Sequence, residues 1–197
     1  MSRGEGKQLR DRWSGVSTAG LRAQLLAPVK SPFGRTKEGL WDLRGILVED
    51  VLHRLVLEQI DFSFSEMMAL GQLGGGTTVV ACKFDFCRYE TTIQAIFENC
   101  SFIGSNLHRS IVGQRFVGCV FERARLSGVR GSGVRFEECV FAQADFRSAS
   151  FYDSVFAHCR FDRCRFGNGS LAGSKFQDCV FSQTDLVNTL LERVTGL

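Results

Sequence analysis

The sequence predicts an all-β solenoid, a narrow tube of stacked coils, each built from four segments of five residues. Three observations predict it. Every fifth residue from Ile111 to Leu191 is Phe, Leu or Ile, with Gly131 as the one exception, so one phase holds for seventeen positions. A helix repeats its buried face about every 3.6 residues and a strand every second residue, and neither accommodates a strict five. The string F-x-x-C-x-F recurs at 97–102, 116–121, 136–141, 156–161 and 176–181, the last four copies twenty residues apart. The residue two before each large apolar centre is small or thiol-bearing almost throughout, as at Cys119, Ala124, Cys139, Ala144, Cys159 and Cys179.

A large centre beside a small neighbour, both pointing inward, fills a narrow square tube without overpacking. The bias toward Phe, 18 residues against two Tyr and two Trp, suits a dry interior because Phe carries no polar atom needing a partner. The predicted core is Phe116, Phe121, Phe136, Phe141, Phe156, Phe161, Phe176 and Phe181, with Cys119, Cys139, Cys159 and Cys179 as filler. Gly113, Gly118, Gly128, Gly133, Asn168, Gly173 and Asn188 fall two after a centre, where a turn of positive φ is made at low cost. Coils stacked at strand spacing lie about 4.8 Å apart.

The motif of a small residue, a variable or Asp/Asn residue, then Leu or Phe and two more is clearest in Ala144-Asp145-Phe146-Arg147-Ser148 and Thr184-Asp185-Leu186-Val187-Asn188. It resembles the pentapeptide repeat family, strongly over about 82–192 and weakly over 41–66. The resemblance implies a right-handed quadrilateral parallel β-helix with four repeats per coil. Best-known members of that family resemble a DNA duplex in size and negative charge, and protect type II topoisomerases from quinolones or natural toxins. This chain departs from them: Arg125, Arg130 and Arg165 stand where the repeat has Asp or Asn, and no acidic stripe is visible.

In chain order, residues 1–40 form an N-terminal extension. A short helix is predicted over Ser17 to Ala27, with Leu21, Leu25 and Leu26 on one side and Ser17 or Thr18 as its cap. Together with Trp13 it is the candidate cover for the first coil, whose apolar edge must be hidden. Lys30 to Gly39 reads as a loop. The solenoid is assigned to 41–197, irregular over 41–81 and regular over 82–192.

Two readings stand for 43–62. Polar residues at 49, 50, 53, 54, 58 and 59 would line one side of a helix from Ile46 to Ile60. Alternatively Leu43, Val48, Leu52, Leu57 and Phe62 point inward as an irregular coil. A recurring Asp–apolar step at Asp42-Leu43, Asp61-Phe62, Asp85-Phe86, Asp145-Phe146 and Asp185-Leu186 favours the coil. The glycines Gly74, Gly75 and Gly76 then predict a flexible loop near 68–78. From Cys82 the period sets in, with phase slips around Thr92–Phe97 and between Leu107 and Ile111.

Several functions are excluded by composition and spacing. The formal charge is +3, and from residue 77 onward 14 Lys/Arg face 12 Asp/Glu, so no nucleic-acid binding is expected. The eight cysteines form no CxxC pair and the three histidines have no ligand spacing to them, so no metal or cofactor is expected. The thiol column Cys100, Cys119, Cys139, Cys159 and Cys179 reads as packing filler whose burial suppresses reactivity. No nucleophile–base pair or paired carboxylates occur in catalytic spacing, and the glycine run lacks a GK[ST] ending, so no enzyme is expected. No apolar stretch approaches the roughly 18–20 residues of a membrane span, and the chain reads as cytoplasmic.

What remains is the outside. Val120, Val140, Arg160 and Val180 precede the centres of one column, and three stacked valines are not required by the tube. Arg115, Arg135 and Lys175 form a broken basic line beside them, with Glu137, Glu138 and Asp178 nearby. These seven residues are the candidate interaction surface. A further column, Arg125, Asp145, Arg165 and Asp185, alternates in sign and predicts a ladder of ion pairs. The functional expectation is a non-catalytic scaffold for a protein partner; the alternative is topoisomerase (DNA gyrase) protection by duplex mimicry. The apolar end Leu190 to Leu197 serves either as a cap or as a homodimer contact.

Overall fold

The structure, a computed structural model, describes residues 3–16, 20–26, 30–67, 73–89 and 91–197. The chain winds as a right-handed quadrilateral parallel β-helix of about seven turns. Each coil visits four faces in turn. Inward residues on the first face are Leu57, Val79, Phe97, Phe116, Phe136, Phe156 and Phe176. The second face stacks Leu43, Phe62, Phe84, Phe102, Phe121, Phe141, Phe161 and Phe181. On the third lie Val48, Met67, Tyr89, Leu107, Leu126, Phe146, Phe166 and Leu186, and on the fourth Leu52, Leu73, Ile93, Val112, Gly131, Phe151, Leu171 and Leu191.

Phe dominates because its flat ring repeats at the coil spacing. Phe102, Phe121, Phe141, Phe161 and Phe181 stack with centroids 4.8–5.0 Å apart, and so do Phe97, Phe116, Phe136, Phe156 and Phe176. Between the two ladders the rings meet edge-on, as in Phe116 against Phe121 at 5.7 Å. Such pairs add about 0.5–1.5 kcal/mol each beyond burial. Phe181 and Cys179, in the last complete coil, are only partly buried.

Backbone hydrogen bonds join coil to coil, as where Phe121 N donates to Val140 O and Val140 N to Cys119 O. The residue two before a centre often adds a second bond where it has a donor, although the Thr91, Ser110 and Thr189 hydroxyls find no partner among the described residues. Cys139 Sγ donates to Phe116 O at 3.4 Å, Cys164 Sγ to Phe141 O at 2.7 Å and Ser174 Oγ to Phe151 O at 2.8 Å. The carbonyl in each case belongs to the preceding face, one coil back. Small size alone therefore does not explain this position; it also satisfies a buried acceptor.

Both phase slips resolve into geometry. Thr92–Glu98 is one straight strand with Ile93, Ala95 and Phe97 inward, so period two replaces the corner between the fourth and first faces. The second slip lies between Val112 and Phe116, not before Ile111. Val112 is buried while Ile111 is 38% exposed. The corner residue there is Gln114, with φ 64°, and Gly113 is not a positive-φ turn. The constant phase thus begins at Phe116.

Residues 41–67 form coils rather than a helix, with Leu43, Val48, Leu52, Leu57 and Phe62 buried. The Asp–apolar step fails at Asp85-Phe86, where Phe84 is the inward residue, Phe86 is 37% exposed and Asp85 accepts from Ser101 and Ile103 of the next coil; elsewhere it has a local cause. Asp61 Oδ1 accepts Ser63 N, Asp145 Oδ1 accepts Arg147 N and Asp185 Oδ1 accepts Val187 N, each two residues on. Asn106 does the same for His108 N. These are Asx turns that hold the outer corner. The loop expected at 68–78 is corrected by strand Leu73–Val80, which pairs with Val56–Glu58 on one side and Thr92–Glu98 on the other. Its β-branched run Thr77-Thr78-Val79-Val80 suits a strand. A register shift between Leu73 and Thr77 absorbs the glycines as a bulge. Residues 68–72 lie outside the described part.

Two helices cover the start, α1 (Arg3–Asp11) and α2 (Leu21–Leu26). Helix α2 buries Leu21 and Leu25 in the tube's core, and Arg22 N donates to Asp50. The rest of the predicted helix, 17–19 and 27, is outside the described residues. Helix α1 was not expected, because its RGEGKQLRD sequence has no apolar face to reveal it. It is held by close backbone approach: a Cβ on Gly45 would stand 2.5 Å from the Leu9 carbonyl. Arg12 follows it and, with Arg44, grips buried Asp42. Burial raises that carboxyl, but the two guanidiniums outweigh it and hold Asp42 well below its ordinary range.

Candidate interaction surface

The tube's interior is filled by side chains. Its axis is occupied by ring stacks, and no group of His, Cys, Asp or Glu among the described residues could hold a metal. Burial pushes the Cys82 thiol up to about 12 and Cys164 up to about 11, and raises Cys87 well above its ordinary value. A cleft of about 440 Å³ beside α1 holds Arg44, Asp61, Lys83 and Asp85. Its charges are already engaged: Lys83 pairs with Glu38, and Asp85 accepts Ser101 Oγ and Ile103 N. No nucleophile faces a base there. No helix among the described residues is long and apolar enough to cross a membrane.

Side chains available to a partner therefore lie on the outer columns. On the second face, Val120, Val140, Arg160 and Val180 are consecutive register neighbours. Val120 and Val140 are half-buried between adjacent strands, Arg160 is exposed and Val180 is 59% exposed. On the first face the register runs Arg115, Arg135, Val155, Lys175, so Val155 fills the break in the basic line. Arg115 and Arg135 both reach Glu137, and the Arg115 bond leads in lowering the Glu137 carboxyl. Only Lys175 of the line carries its charge unpaired among the described residues. His158 and Asp178 meet at the next corner, 3.8 Å apart.

The alternating column also stacks as neighbours, Arg125 on Asp145 on Arg165 on Asp185. A continuous ion-pair ladder does not follow. Asp145 is the single node, holding Arg165 at 3.5 Å above it and Arg147 from its own coil at 2.8 Å. Arg125 turns to Ser127 Oγ instead. The cause is the Asx turn, which aims Asp145 along its own coil rather than toward Arg125. The third face and its corners collect Arg109, Arg123, Arg125, Arg147, Arg163 and Arg165, a grouping visible only once the register is known; Glu122, Asp145 and Asp162 pair with four of them.

The Pentapeptide repeat region family matches residues 82–176 and 129–195, together more than half of the chain. The chain belongs to this family of repeat scaffolds. No protein of curated function matches it in sequence. Among solved structures, a trypsin-treated form of QnrB1, a plasmid-mediated fluoroquinolone resistance protein, is 17% identical, with 78% of this chain and 83% of that chain covered and a TM-score of 0.43. HetL, involved in heterocyst differentiation regulation in the cyanobacterium Nostoc sp. strain PCC 7120, is 10% identical over 74% and 89%, with a TM-score of 0.34. Rfr23 from the cyanobacterium Cyanothece 51142 is 11% identical over 76% and 86%, with a TM-score of 0.25.

Proposed function

We propose that the chain is a non-catalytic scaffold that docks a protein partner on its outer faces, with Val120, Val140, Arg160 and Val180 at the centre of one contact and Arg115, Arg135 and Lys175 at its rim. The observation that carries this reading is the exposure of Val180 at the end of a stacked valine column. An apolar strip flanked by charge is the anatomy of a docking surface, with a dry centre and a polar rim. The partner is a protein rather than a nucleic acid or a membrane. A homodimer is the variant of this reading that uses Val187, Leu190, Leu191 and Leu197, exposed in the last coil.

Duplex mimicry of the kind that protects a topoisomerase needs a continuous negative face. Arg125, Arg160 and Arg165 interrupt the outer columns where such a face would run. Two experiments separate the readings. Val140→Glu with Val180→Glu should abolish partner co-purification while the melting profile is kept; retained partner would move the contact elsewhere. Cells expressing the chain should keep their susceptibility to a gyrase inhibitor, and protection would favour mimicry over this reading.

A further inference from the structure

At the corner between the third and fourth faces, three arginines gather around Gly128. Arg125 and Arg130 flank it in the same coil. Arg109 reaches it from the preceding coil, its Cγ 3.3 Å from where a Cβ on Gly128 would stand. Among the described residues no carboxylate pairs with any of the three; Arg125 Nε donates only to Ser127 Oγ at 3.2 Å. Beside them lies a shallow depression of about 390 Å³ lined by Ile111, Arg130, Gly131, Ser132, Ser150 and Tyr152. Ile111 and Tyr152 are 38% and 46% exposed, large apolar bodies standing either side of small serines.

We propose that this corner docks an acidic segment of a partner protein, whose carboxylate engages the arginine cluster while a neighbouring apolar side chain fills the depression between Ile111 and Tyr152. Three like charges on one corner repel, and a carboxylate relieves them with the planar two-bond geometry that guanidinium favours. Tyr and Arg side by side are the residue types that carry most binding energy at protein interfaces. A nucleic-acid backbone fits less well. The column that holds Arg125 continues into Asp145 and Asp185, so a phosphate chain tracking this face meets a carboxylate every second coil, roughly every 10 Å. A short acidic segment that crosses the corner meets only Asp145, whose charge Arg147 and Arg165 already hold.

This inference rests on the scaffold reading and names the chemistry of one partner contact. The test uses a short fluorescein-labelled peptide of alternating Glu and Phe, followed by anisotropy with the full chain at physiological salt. Binding should weaken about tenfold or more in Arg109→Glu with Arg130→Glu. It should weaken several-fold in Tyr152→Ala, and stay unchanged in Lys7→Glu with Arg193→Glu, exposed residues near the two ends of the chain. Arg109→Gln with Arg130→Gln serves if the reversal alters the melting profile. Equal loss from the Lys7 and Arg193 reversal, or no loss from the corner variants, overturns the proposal, and so does duplex DNA that displaces the peptide through the same arginines. Peptide binding that fails while a partner still depends on Val140 and Val180 sinks this contact and leaves the scaffold reading standing; loss of both sinks both.

Discussion

Gly131 makes room for Phe151. A Cβ built on Gly131 would lie 2.9 Å from Phe151 Cδ1 and 2.8 Å from Val134 Cγ2, closer than packed carbons approach. The one break in the five-residue period is thus steric: Val134 of the same coil and the Phe151 ring of the next already fill the space a side chain would need. Gly131→Ala should destabilise by about 1–3 kcal/mol through overpacking. Phe151→Leu should recover part of that loss in the double variant. A neutral Gly131→Ala in denaturant melts would mean the column has slack that the packing denies.

The ring ladders set where truncation hurts. Phe141 is fully buried, stacked on Phe121 and Phe161 at 5.0 Å each. Phe141→Ala should therefore cost about 3–5 kcal/mol. Leu191, on the last coil and 40% exposed, should cost about 1 kcal/mol on the same change. Equal losses at both sites would contradict nearest-neighbour stacking.

Thiol reagents should discriminate among the cysteines. Seven are buried and Cys179 alone is half-exposed. With Cys82 held at about 12 and Cys164 at about 11, almost no thiolate forms in them near neutral pH, and burial blocks access as well. The Cys159 hydrogen bond and partial burial also raise the Cys179 thiol, so native protein at pH 8 should take up label slowly and at Cys179 alone, leaving the other seven until denaturant is added. Rapid native labelling of Cys119 or Cys139 would reverse the inward assignment of the column.

Exchanging the signs of the alternating column should not be neutral, although its charges alone suggest so. Replacing Asp145 and Asp185 by Arg, and Arg125 and Arg165 by Asp, keeps the alternation but removes two Asx turns, at about 1 kcal/mol for each lost hydrogen bond. New Asx turns at 125 and 165 can restore part of it. Making all four Arg should cost more, and that excess alone should shrink in high salt because exposed repulsion is screened. Identical stabilities for the two variants at low salt would show that the column's charges do not matter.

The repeat made most of the fold legible because inward volume is what the period encodes. Phe116 to Leu191 could be placed face by face from spacing alone. Where the coil is not twenty residues the period fails: Thr92–Glu98 uses strand alternation, Leu73–Val80 hides a strand in glycines, and the step from Val112 to Phe116 is one residue short. Helix α1 was hidden for another reason, since it is held by contacts to Gly45 and Asp42 rather than by its own apolar face. The outer columns were legible as lists, yet their chemistry was not. Which charges pair depends on Asx turns and corner directions, so Glu137 joining Arg115 to Arg135, and the set Arg109, Arg125 and Arg130 that no carboxylate pairs among the described residues, emerge only from the structure.

The central claim is that partners are held by the outer columns. A photo-crosslinking residue placed singly at Val180, Lys175, Asp185 and Ser170 samples the second, first, third and fourth faces within one coil region. Crosslinks to a single protein partner should be strongest from Val180, weaker from Lys175, and least from Asp185 and Ser170. Equal yields from all four positions, or a partner captured only from Asp185 or Ser170, would contradict the valine column as the docking surface.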